Sequence, residues 1–258
     1  MCKVLRRFAF LPLAGILALI PAGAFAQSGS FEISENRTQV GTASFDVKAT
    51  PSGYDSTSLV RIAMSGLNYQ LSKTEKLDAS DHLVHVVLSG IVNGEAVSIV
   101  GRPDAGQVLL NISANGRATT ARLDAHPGAV VLADFDPGAL ETLLIVAAQQ
   151  NNRDLWAILP KQSGSIVPVQ LATQADQQGT WQGDPITVHH LSATIAGQTT
   201  ELFSGPENQL LQAEFSDQGF ALVRKGFVLK PPAKPPAAPP QQPQPQDGDD
   251  IQVVAALQ

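Results

Sequence analysis

The stretch Ala43-Ser44-Phe45-Asp46-Val47-Lys48-Ala49 decides the fold. Every odd position is apolar and every even one polar, the period-2 signature of a β-strand with one buried and one wet face. Around it, from Phe31 to about Ile112, the chain is a succession of similar short runs separated by Gly, Asn, Asp and Ser. Val60, Ile62 and Met64 mark one such run; Val84, Val86 and Leu88 mark a later one. Asn93-Gly94 lies between two apolar runs, and Asn115-Gly116 repeats the pattern. Both central residues of a type I′ turn need positive φ, which Asn-Gly supplies, so consecutive strands are expected as antiparallel neighbours in a meander. Leu83 to Leu88 reads as apolar on both faces, which predicts a cover over that part of the sheet.

A helix is expected after Asp134-Phe135-Asp136-Pro137. Asp136 suits the N-cap and Pro137 the first helical position. Leu140, Leu143, Leu144 and Ala147 then recur at i, i+3, i+4 and i+7, and Asn151-Asn152 stops the helix near Gln150. That stripe is the expected cover for the doubly apolar strand, and Glu141, off the stripe, is expected to tolerate Ala. Strand character resumes at Leu155 to Leu159 and continues through Ile166 to Val169, Ile186 to Ile195, Thr199 to Phe203, Leu210 to Phe215 and Phe220 to Leu229. Between Ile186 and Ile195 the apolar series slips by one residue, which predicts a β-bulge at His189-His190.

Outside this core the composition changes twice. Lys3, Arg6 and Arg7 precede the apolar run Phe8 to Ile20, and Ala24-Phe25-Ala26 precedes Gln27. This is the layout of a cleaved secretory leader, 1–26, with the mature chain starting at Gln27 in a periplasmic or extracellular compartment. Arg6-Arg7 also admits twin-arginine export of a folded chain, although the following residues fit ordinary export of an unfolded one better. Beyond Leu229, the segment 230–258 holds a Pro- and Gln-rich stretch that cannot pair in a sheet and reads as an extended spacer. The short apolar run Ile251 to Leu257 follows it. The globular domain is thus 27–229, without a transmembrane anchor once the leader is gone.

Cys2 is the single cysteine and lies in the leader, so the mature chain offers no disulfide and no thiolate. The chain carries a net charge of -6, and its leader holds three cations and no acid, so the acidity of the remainder is greater still. Such a chain, without basic clusters, is a poor partner for nucleic acid.

No nucleophile elbow, zinc-protease helix or phosphate loop is present. His82 and His85 read as lying on opposite faces of a strand, and His126 as a turn residue. His189 and His190 are weak metal candidates, brought together only if the bulge turns both inward. Asp134 and Asp136 read first as helix-entrance residues, and Glu75, Asp78 and Asp81 as one solvated connection. Trp156 reads as core, and Trp181 as core or as the rim of a pocket. No cofactor and no catalytic residue is indicated.

The sequence therefore predicts a mainly β domain, a curved antiparallel sheet or half-open barrel with one central helix on its concave face. In element order, across Phe31 to Leu229, this resembles the LolA-like periplasmic lipoprotein carriers and related lipid-binding envelope proteins. The resemblance implies a non-enzymatic carrier of an apolar, lipid-like ligand. An aliphatic concave face with few charges is compatible with that role. The residues expected around such a ligand are Val84, Val86, Leu88, Leu140, Leu143, Leu144 and Trp181. A protein-interaction module working through the spacer and apolar end is the alternative, and an unrecognised hydrolase a further one.

Overall fold

The computed structural model describes residues 26–161 and 164–231. Of the leader only Ala26 falls among them, and of the tail only Lys230 and Pro231; the other readings for those segments lie outside the described residues.

Eight strands follow one another as antiparallel neighbours: β1 (Ala26–Glu35), β2 (Thr38–Thr50), β3 (Gly53–Met64), β4 (Leu67–Asp78), β5 (Leu83–Val92), β6 (Glu95–Asp104), β7 (Gln107–Ala114) and β8 (Arg117–Asp124). The two Asn-Gly turns form as expected, with φ of 52° and 88° at Asn93 and Gly94 and of 52° and 68° at Asn115 and Gly116. In β2, Ala43, Phe45 and Val47 are buried and the residues between them are not.

The second half comprises β9 (Ala129–Val131), helix α1 (Pro137–Gln149), β10 (Trp156–Leu159), β11 (Ser165–Thr173), β12 (Gln177–Trp181), β13 (Asp184–Ile195), β14 (Gln198–Ser204), β15 (Leu210–Phe215), β16 (Phe220–Arg224) and β17 (Phe227–Leu229). From β1 the ladder passes to β16, β15, β14, β13, β11 and β10, all antiparallel, and ends with β9 parallel to β10. The result is one large, curved, unclosed antiparallel sheet with a single helix. Among the described residues β8 pairs only with β7.

Curvature has a local origin. One extra residue is inserted at Val40 of β2, at Val84 of β5 and at Leu211 of β15, where the register with the facing strand shifts, and each such bulge bends and twists its strand. At Gly41, beside the first, a Cβ would run into the carbonyl of Arg61.

Asp136 caps α1, its Oδ1 accepting from the amides of Gly138 at 2.9 Å and Ala139 at 3.2 Å, and Pro137 opens it. The helix lies over β2 and β3 and touches β15 and β9. A Cβ on Gly138 would stand 3.0 Å from Cβ of Ser58 and 3.1 Å from Cβ of Phe45, so the small residues at this crossing set how closely helix and sheet approach.

Four expectations need correction. The helix is not amphipathic in its setting: every residue from Pro137 to Ala147 is buried, Glu141 included. Its neighbours are not β5, whose inner face is approached by β9 instead. Nor is β5 buried on both faces; the extra residue at Val84 restarts the alternation, so that Leu83, Val86 and Leu88 point inward while Val84 is 37% exposed. Finally, β13 carries no bulge at His189-His190, and its pairing with β14 is unbroken there.

The slip in β13 has a different cause. Its first half pairs with β12 and its second half with β11. Val188 belongs to a small second core with Phe203, Leu211 and Phe227, beneath the β12–β17 pair, whereas Ala193 belongs to the main core. Each half therefore buries the opposite face, and the apolar series changes phase without an inserted residue. The expected strand Phe220 to Leu229 is likewise divided by a turn at Lys225-Gly226, with φ of 84° at the glycine.

Candidate functional site: the helix-filled interior and its buried charges

The helix entrance is built around an aromatic residue in an unusual conformation. Phe135 has φ of 54°, in the left-handed region that aromatic residues rarely adopt. Its ring is fixed by Phe220 at 4.6 Å, Phe215 at 5.7 Å and Tyr69 at 6.4 Å between centroids. The turn sends the flanking carboxylates apart. Asp134 pairs with the exposed Lys161, while Asp136 points inward, so the two do not form a paired-acid site. Tyr69 donates from its hydroxyl to the Asp134 carbonyl at 3.2 Å, and burial, followed by the charges of Asp134 and Asp136, pushes its pKa up.

Asp136 meets Lys73, which is 2% exposed on the inner face of β4. The Lys73 ammonium lies 2.9 Å from Asp136 Oδ2 and donates to Glu75 Oε2 at 2.8 Å and to the Val131 carbonyl at 2.9 Å. Glu75 Oε1 accepts from the Val131 amide at 2.8 Å. These side chains thus serve the outer edge of β9 as a neighbouring strand would, and they join β4, β9 and the helix N-terminus. Burial works against the Lys73 charge, but the Asp136 and Glu75 carboxylates outweigh it and hold the pKa above its ordinary value. Glu75 is accordingly a core residue and not part of a solvated connection.

A third buried carboxylate sits one turn into the helix. Glu141 is fully buried; its Oε2 accepts from the Leu210 amide at 2.7 Å, and its Oε1 has no hydrogen-bond partner among the described residues. Burial pushes its pKa up to about 7, against the opposing pull of the Leu210 amide and the Arg224 charge. Arg224 is itself nearly buried, donates to the Leu210 carbonyl at 3.1 Å and to the Ser28 carbonyl, and stacks over Trp181 at 5.0 Å and Phe45 at 5.8 Å. Desolvation lowers its pKa, and Glu141 opposes that shift.

Of the residues expected around an apolar ligand, Val86, Leu88, Leu140, Leu143 and Leu144 are brought together. They are at most 5% exposed and belong to one continuous core. They share that core without β5 and the helix being neighbours, and the helix, packed on β2 and β3, occupies the concave face where a ligand was expected. Val84 lies apart on the outer surface, and Trp181 packs against the small second core. Trp181 rims an open cleft of about 440 Å³ with Gln182, Glu207, Gln209, Arg224 and the β1 residues Ala26–Ser30.

The histidines diverge. His189 faces exposed Asp176 at 3.1 Å, whereas His190 meets Glu201 Oε2 at 2.7 Å and stacks on Phe203 at 4.5 Å. Ser192 donates to Glu201 Oε1 at 3.0 Å. Serine and histidine thus share the carboxylate without touching, which is not the contact that activates a hydroxyl nucleophile. His82 lies near Asp78 at the β4–β5 turn, and His126 stacks on Trp156 at 3.8 Å. Among the described residues no cluster of three or more His, Cys, Asp or Glu side chains is placed to hold a metal, and no helix is long and apolar enough to cross a membrane.

Lys73 and Arg224 were not singled out from the sequence, and Glu75 and Glu141, which were, read as solvated and as dispensable but are buried, although Lys73 and Glu75 had a signal. They continue the alternation Tyr69, Leu71, Lys73, Glu75, Leu77 and so fall on its apolar face. Set against known proteins, the chain gives no match to a family model, to a curated protein or to a solved structure.

Proposed function

We propose that this is an exported, non-enzymatic envelope protein that acts as a solid interaction module, with the segment beyond Pro231 as its link to a partner. The observation that carries this reading is the filled interior. Leu143 and Ala139 are fully buried, Leu140 and Leu144 nearly so, and all contact the same core as Val86 and Leu88. A domain whose concave face is occupied by its own helix offers a partner its outer surface rather than a container.

A carrier reading is favoured by one different observation. Glu141 holds an oxygen with no partner among the described residues in the interior, a cost to stability that would be relieved if the helix lifted from β2 and β3. This is the sense in which the LolA-like resemblance enters the proposal.

The two readings separate on one preparation. The protein, released gently from its own host, is expected to show a clean apo mass by native mass spectrometry and no uptake of a fluorescent phospholipid analogue. A chain ending at Leu229 is expected to be released freely from the envelope fraction that retains the full chain. Co-purifying apolar molecules, together with retention unaffected by the truncation, would replace the module with the carrier.

A further inference from the structure

The residues that define the leader's end also begin the sheet, and this bears on when the leader is removed. The inference rests on the export reading. Ala24-Phe25-Ala26 supplies the small residues a signal peptidase selects, which places the scissile bond between Ala26 and Gln27. Cleavage adds water across that amide, leaving a carboxylate on Ala26 and an ammonium group on Gln27.

Both residues belong to β1. Ala26 stands opposite Lys48 and Gln27 opposite Val47 in the ladder with β2. Gln27 is 8% exposed, and its Nε2 donates to the Glu207 carbonyl at 3.1 Å, so the β14–β15 loop clamps it from the other side. One residue on, the Ser28 carbonyl accepts from Arg224, and the Ser30 carbonyl accepts from the Lys225 amide at 2.9 Å. Further along, Phe31 is fully buried and packs on Phe45 at 5.9 Å.

A protease must surround the scissile amide and grip several extended residues on each side of it. Here the residues on the product side are held on both edges, and no spacer separates the bond from the core. Exposing the bond means stripping the start of β1 from β2 and releasing Gln27 and Arg224.

We infer that the Ala26–Gln27 bond is cut only while β1 is unpaired, so that processing precedes folding and the chain crosses the membrane unfolded. Of the two routes that Arg6-Arg7 leaves open, this selects the one for unfolded chains, because twin-arginine export would deliver a domain with its cleavage bond already inside the sheet.

The test uses the full-length precursor, folded or freshly diluted from urea, with purified signal peptidase in detergent, read by intact mass and N-terminal sequencing. The diluted chain is expected to be cut to a product starting at Gln27, and the folded chain at least tenfold more slowly. Comparable cutting of both at this bond overturns the order of events but leaves the leader reading intact. Failure to cut either form, or cutting at another bond, overturns both. In cells, azide inhibition of the general export motor is expected to accumulate precursor. Loss of the twin-arginine translocase, or the double change Arg6→Lys and Arg7→Lys, is expected to leave maturation unchanged; dependence on either would overturn the inference.

Discussion

At the scale of single residues, Glu141 has the largest measurable consequence. Its folded pKa of about 7 lies above the ordinary 4.5, so the folded chain holds the proton more tightly than the unfolded one. The stability this contributes is full below pH 4.5, declines as the pH rises toward 7 and levels off above that, by about 3 kcal/mol in all. Glu141→Gln keeps an acceptor for the Leu210 amide and removes the charge. Urea unfolding is expected to show this variant more stable than the parent at pH 8 and equal to it near pH 4.5. An unchanged pH slope would mean that Glu141 is not the group responsible. Glu141→Ala, which the helical stripe suggested would be harmless, is expected to cost about 1–3 kcal/mol because it leaves the Leu210 amide buried without a partner. What hid Glu141 from the sequence was the rule that a charge marks the wet face of a helix. Lys73 and Glu75 show the better rule, because alternation placed them inside whatever their charge.

At the scale of elements, α1 was legible from end to end. Asp136 and Pro137 start it, and Asn151 and Asn152, with φ of 51° and 60°, stop it. Its all-round burial was also written in Ala139, Ile145 and Val146, which lie off the leucine stripe and are equally buried. Its partners were not legible, since β9 is three residues long and pairs in parallel with a strand across the helix, a contact no local pattern encodes. Because Leu143 is fully buried, Leu143→Ala is expected to cost about 2–5 kcal/mol, and Leu143→Asp to leave no folded protein at neutral pH by near-UV circular dichroism. A folded Leu143→Asp protein that takes up a phospholipid analogue would show the helix to be a movable plug. A folded one that does not would place Leu143 outside the core.

At the scale of the whole molecule, the curved sheet and its meander followed from alternation and two Asn-Gly turns, as Phe45 and Asn93 show. The layer formed by β12 and β17 did not, because Gln177 to Trp181 has no apolar alternation and Phe227 to Leu229 read as the end of a longer strand. Phe227→Ala should therefore act locally. Hydrogen exchange is expected to speed up at β12 and β17 amides while β3 and β4 remain protected, whereas uniform loss of protection would mean that the small core is coupled to the large one. The same layer gives the domain a mechanical direction. A pull applied through Pro231 falls first on β17, which is held to β12 over only Gly179–Trp181 and opens like a zipper, one pair at a time. A pull through Ala26 loads a ten-residue strand paired with β2 along its length and with β16 over Phe31–Glu35, a far longer ladder than the one that holds β17. Tethered by its tail, the domain would yield gently and uncover Val188, Phe203 and Leu211 to solvent while its main core stayed whole.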